Sequence, residues 1–245
     1  MWRQQFESHY HPSPAQERKE TGRVEALSDG VFAIAMTLLV LSIPIPSRDV
    51  FVHLKPPTTL FDFAVIRNST WLSYIAYVVS FLTILVMWVN HHSMFQFLGR
   101  IDRFFVMANG LLLMMVVFVN YPTVLVADFI GTSGGTFAAA ALSGTFVIIS
   151  ILYQALWRRI ITGGRLLASD VDPGEVAQIT RQYNFGAPVY LVAFALAFFS
   201  PAVSVAVTAG LAIFFMFTGR ITRRVVPRRL EEEHQHAESH HQPSA

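Results

Sequence analysis

The chain has 245 residues, 53% hydrophobic and only 14% charged, against about 25% charged in ordinary soluble domains. Its net charge of +2 and isoelectric point near 9.1 come from basic residues held in short segments between apolar runs, a topology signal rather than a nucleic-acid footprint. The absence of cysteine excludes disulfides, thiolate catalysis and cysteine-ligated zinc. What remains is an all-α membrane protein whose surroundings are the lipid bilayer, with no nucleic acid among its expected partners.

Residues 1–22 are polar, with Pro12, Pro14 and a QERKE cluster, and read as a flexible N-terminal tail whose end feeds the first turns of helix one. Arg3, Glu7, His9 and His11 stand where a secretory signal would be apolar, so helix one is expected to act as its own insertion signal. That helix covers Arg23 to Ile43 and stops at Pro44 and Pro46, which remove backbone donors and push the preceding residue out of helical geometry. Its uninterrupted apolar part, Val31 to Leu41, is too short to cross a bilayer core that takes about 20 residues. To span, it must carry Ser28 and Asp29 to the membrane edge or beyond, where an ionisable residue normally faces protein or water.

Residues 47–69 read as a loop with a short interfacial helix near Leu60 to Ile66. Helix two is expected from Thr70 to Phe97, ending in the polar run Asn90, His91, His92. Helix three runs from Arg103 to Tyr121 and ends before Pro122. After GTSGGT at 131–136, helix four takes Phe137 to Trp157, closed by Arg158 and Arg159. The polar connection 160–182 contains Ser169-Asp170-x-Asp172-Pro173, which suits a helix N-terminus. Helix five is expected at Asn184 to Phe199 and helix six at Ala202 to Gly219. The tail 221–245, basic, then acidic, then histidine-rich, reads as disordered. Residues 23–220 thus form one six-helix membrane domain between two tails. Fifteen Lys and Arg fall on one side of these spans and three on the other, which places both termini in the cytoplasm. No second copy of the first motif is present, against an inverted-repeat transporter.

At 100° per residue, Ile34, Leu38 and Leu41 lie within about 60° of one another and make one apolar ridge, while Asp29 points about 140° away. Gly30, Ala33 and Thr37 are small and spaced to admit a neighbouring helix. Arg23, Ser28 and Asp29 have two readings: a helix cap or a buried polar network. Adjacent His91 and His92 diverge by about 100° and are poorly placed to share one ion, so hydrogen bonding to Asp29 is the better expectation and no metal site is assigned. Asn109 is isolated on an apolar helix and needs a partner in the bundle. The tail histidines His234, His236, His240 and His241 read as solvated.

Arg23-x-Glu25-Ala26-Leu27-Ser28-Asp29-Gly30 followed by VFAIAMTLLVL, together with Trp88-x-x-His91-His92, Asn109 and Tyr121-Pro122-Thr123, resembles the bacterial branch of the transmembrane protein 175 family of potassium channels. The resemblance runs from about residue 23 to 220, with Leu27 where the family's RxxxFSD signature has Phe. It implies a homotetramer of six-helix subunits in the cell membrane, the first helix of each lining a central pore. It also implies that Ile34, Leu38 and Leu41 form apolar constriction layers and Thr37 a hydroxyl layer. Arg23, Ser28, Asp29, Trp88, His91 and Asn109 would be the polar network bracing the pore helix. Potassium would be the permeant ion, with no cofactor. The alternative is a proton-coupled or other secondary transporter using Asp29 beside His91 and His92. An enzyme is disfavoured, because the chain lacks paired metal ligands at i and i+4 on one helix, a Gly-x-Ser-x-Gly turn and a phosphate-binding loop.

Overall fold

A computed structural model describes residues 14–43, 71–168 and 171–218, all helices and connections apart from one isolated bridge between Leu98 and Leu167. The interfacial helix expected near Leu60 to Ile66 and the tail 221–245 lie outside the described residues. The helices are α1 (Pro14–Leu38), α2 (Trp71–Gln96), α3 (Arg103–Phe118), α4 (Asn120–Phe129), α5 (Gly135–Ile161), α6 (Pro173–Leu196) and α7 (Pro201–Thr218). Four stretches among the described residues are long and apolar enough to cross a membrane: Gln16–Leu41, Ser73–Gln96, Arg103–Phe129 and Gly135–Gly164.

Three boundaries differ from the sequence reading, each for a local reason. Helix α1 begins at Pro14, so the expected tail boundary at residue 22 falls inside a helix; proline is well placed at a helix start, where its missing N–H is not needed. Helix three does not end at Pro122. The helix is interrupted only at Val119, and α4 continues to Phe129. Pro122 has no N–H for the Phe118 carbonyl and its ring crowds that carbonyl, so the break sits one turn upstream of the proline. Helix five starts at Pro173, not Asn184: the Asp172 side chain accepts from the Gly174 amide at 2.9 Å, a cap in the Asp-Pro motif itself.

Helix α5 is the hub. It packs on α3, α4, α6 and α7 and is the most enclosed of the four long spans, 44% of its apolar window being buried. Its contacts with α6 are aromatic and polar. Tyr153 stacks on Tyr183 at 5.9 Å, and Trp157 Nε1 donates to Thr180 Oγ1 at 2.9 Å. Gly144 gives α6 close approach, since a Cβ there would meet the Phe194 ring at 3.3 Å. Helix α1 is the opposite case, with 22% of its window buried; among the described residues it packs mainly against α2 and α3, and the 3-10 turn Leu39–Ser42 that follows it touches α2 and α4.

At one end of the bundle the connections are tied together. The Gly99 amide donates to the Leu166 carbonyl at 2.8 Å and the Ala168 amide to the Phe97 carbonyl at 2.9 Å. Asp102 caps α3 by accepting from the Phe105 amide at 2.8 Å and receives Arg159 Nε at 2.8 Å. Arg100 reaches Glu17 of α1 at 3.7 Å.

Candidate functional site

Helix α1 separates its side chains by surroundings. One stripe, Thr21, Ser28, Phe32, Ala35 and Leu39, is buried, spaced seven, four, three and four apart as one helix face requires. Phe32 fills the space beside His91, with ring centroids 5.2 Å apart, and His91 continues to Phe95 at 4.6 Å. The opposite face is bare: Ile34 is 57% exposed, Leu38 46% and Leu41 77%. Leu27 shares that face and is also exposed.

The last turn keeps this ridge straight. Leu39–Ser42 is a 3-10 turn that ends at Ile43, which adopts extended backbone (φ −75°, ψ 115°) ahead of Pro44. In a 3-10 turn, residues three apart eclipse each other, so Leu41 stays above Leu38. Thr37 lies on the exposed side and donates its hydroxyl proton to the Ile34 carbonyl at 3.0 Å. With its one proton committed, its oxygen turns only lone pairs outward, which suits a cation.

The buried face carries the polar chain. His91 Nε2 lies 2.8 Å from Asn109 Oδ1, Asn109 Nδ2 donates to Ser28 Oγ at 2.9 Å, and Ser28 Oγ donates to the Val24 carbonyl at 2.9 Å. Because a carbonyl oxygen only accepts, His91 holds a proton on Nε2 in this arrangement. His91, Asn109 and Ser28 are all buried, so each bond forms where an unpaired polar group is costly. Beside this chain, Trp88 Nε1 donates to Asp29 Oδ1 at 2.8 Å. Trp88 also stacks on His92 at 5.7 Å, and His92 Nδ1 lies 3.1 Å from Glu25 Oε1.

Five of the six residues expected in the network therefore converge: Ser28, Asp29, Trp88, His91 and Asn109. Arg23 does not join them. It is exposed and makes no hydrogen bond or ion pair among the described residues. Eleven residues before Ile34, it falls about 20° from the ridge, on the bare side of the helix. The expected hydrogen bond from His91 or His92 to Asp29 is likewise replaced, by the indole of Trp88. Gly30, Ala33 and Thr37 are exposed as well, and a Cβ on Gly30 would meet nothing within 4 Å. The small-residue seam is thus unused by any described helix of the chain. Sequence reading counts no paired metal ligands at i and i+4 on one helix, and the structure corrects it: Glu25 and Asp29 are four apart on α1 and hence on one face.

The family described as the endosomal/lysosomal potassium channel TMEM175 matches residues 23–119. A potassium channel of Chamaesiphon minutus is 47% identical over 201 residues, covering 82% of this chain and 96% of the relative. A potassium channel of Streptomyces collinus is 40% identical over 200 residues, covering 81% of this chain and 92% of that protein. The fold is similar to the crystal structure of a lysosomal potassium-selective channel TMEM175 homolog from Chamaesiphon minutus, with a TM-score of 0.72, 44% identity, and coverage of 82% of this chain and 99% of that one.

Proposed function

We propose a mechanism from a plain premise: the chain belongs to the TMEM175 family, and it is a multi-pass membrane protein and a potassium-selective channel, not an enzyme. In the proposed assembly four copies of a six-span subunit surround an axis, and the bare face of α1 from each lines the ion path. The membrane domain covers residues 23–220 in the cell membrane, with both terminal tails in the cytoplasm as the charge bias suggests.

The observation that carries this reading is the exposure of Ile34, Leu38 and Leu41 on the long span that the other described residues cover least. Fourfold repetition turns each of the three into an apolar ring, and narrow apolar rings gate by dewetting. An ion passing them sheds part of its water shell. Potassium holds water less tightly than sodium and loses less in doing so, and the Thr37 oxygens replace part of what is shed. Selectivity then arises without a filter of backbone carbonyls.

The network of Ser28, Asp29, Trp88, His91 and Asn109 is the brace. It ties α1 to α2 and α3 on the side away from the ridge, so the ridge is held by bonds that no permeating ion touches. A coupled transporter would need Asp29 in the transport path, but Asp29 is engaged by Trp88 and turned from the ridge.

Reversal potentials of the purified protein in liposomes, with potassium and sodium on opposite sides, test this reading. The wild type is expected to reverse near the potassium equilibrium potential, and Ile34→Ala and Leu38→Ala to move toward the sodium value. A saturable flux that requires a proton gradient, or selectivity unchanged in both variants, overturns the assignment.

A further inference from the structure

We propose that Glu25, Asp29 and His92 form a binding site for a divalent transition-metal ion of the zinc type, clamping the middle of α1 to the last turns of α2. Candidate ligand atoms of all three residues lie within 4.8 Å of one another. Glu25 and Asp29 project from adjacent turns of α1, as residues four apart do, and His92 meets them from α2. Two carboxylates and one imidazole are a donor set that zinc accepts, leaving a fourth tetrahedral position for water. All three residues are half-buried, so water has access to that position.

A second observation points to an ion rather than to a simple acid–imidazole pair. Although the His92 side chain is part-exposed, its Nδ1 atom is shielded from solvent and makes no hydrogen bond among the described residues, with Glu25 Oε1 3.1 Å away. The two atoms are close but poorly aligned for a shared proton. An ion seated between them satisfies both at once, drawing the three donors together by small rotations toward the roughly 2.0–2.2 Å typical of zinc.

Support for the ligands is already in place. Trp88 donates to Asp29 Oδ1 at 2.8 Å and lays its ring against His92, the planes 21° apart. Such outer contacts fix the orientation of the groups that hold a metal. The divergence of His91 and His92 is no obstacle, because only His92 takes part, while His91 turns inward to Asn109. A bound ion would join the two helices midway along the ridge-bearing helix while facing away from the ridge. The site does not depend on the pore assignment.

The test uses the full chain with His234, His236, His240 and His241 replaced by glutamine, titrated with zinc alone by calorimetry and followed by thermal melting, with magnesium as the control. One zinc per chain and a zinc-dependent rise in melting temperature are expected, with no response to magnesium. His92→Gln and Glu25→Gln should each weaken zinc binding at least about tenfold and abolish the zinc-dependent rise. Absence of zinc binding, which would leave only an acid–imidazole contact, overturns the proposal. So does binding of equal strength in both variants, which would put the ion elsewhere. Failure of the ion-path reading would leave these results untouched.

Discussion

The two faces of α1 are built for different surroundings. Toward α2 and α3 the helix presents Ser28, Phe32, Ala35 and Leu39, all buried, and spends its polar atoms on defined partners. On the other side, Ile34, Leu38 and Leu41 touch little of the described chain. In a bilayer, helices gain little from hiding apolar surface from lipid and associate instead through packing and hydrogen bonds. The braced face therefore holds α1 in the subunit, and in the proposed assembly the bare face is free to be selected for what moves along it. This division lets one helix be rigidly placed and still present an unobstructed apolar surface.

The contrast can be broken most severely at Asn109. Asn109→Leu keeps the branched shape but strands the His91 Nε2 proton and removes the bond to Ser28, at an expected cost of about 3 kcal/mol. Thermal melting in detergent should show a lower midpoint and loss of assembled protein, while any surviving channels keep their ion preference. Trp88→Phe is next. It preserves a ring against His92 but removes the donor to Asp29, an expected loss of about 2 kcal/mol for a bond to a charged group, read by the same melt. If either substitution shifts selectivity without lowering stability, the brace and the ion path are not separate.

The ridge was legible in the sequence because it needs only helical periodicity, and the buried stripe follows from the same arithmetic. The brace was only half legible. Ser28, Asn109 and His91 are polar residues in apolar runs, which marks them as needing partners, but Asn109 meets Ser28 across 81 positions of sequence. No local rule encodes which helix faces which. Arg23 shows the reverse failure. Its membership of the signature suggested the network, yet its angle, about 20° from Ile34, already assigned it to the other face. Glu25 carries no local signal of its partner, because His92 meets it from another helix. The continuation through Pro122 escaped the reading because a proline can open the next helix as well as close the last.

A smaller effect is expected far from α1, as a control on the comparison. Burial alone would raise the Asp102 carboxyl, but hydrogen bonds from Arg159 and the Phe105 amide outweigh it and hold the pKa below its ordinary value. The sign follows: the stabilisation is present in full above the unfolded carboxyl value, about 3.9, and is lost as pH falls through the lower folded value. Asp102→Asn keeps the helix cap and removes the charge. At this partly exposed pair, the expected loss at neutral pH is under about 1 kcal/mol, and the melting midpoint should fall less steeply below pH 4 than in wild type. Smallest of all should be the stability change in Ile34→Ala, within about 0.5 kcal/mol for a side chain with few partners. A large loss there would mean the ridge is packed rather than bare.

The absence of cysteine from the natural chain offers the most direct test that ions follow the bare face. Single cysteines introduced as Leu38→Cys, Leu41→Cys and Phe32→Cys can be exposed to a small thiol-reactive cation while potassium current is recorded. The account predicts rapid, irreversible block at Leu38→Cys and Leu41→Cys and none at Phe32→Cys. Block at Phe32→Cys with the two ridge positions unaffected would contradict it.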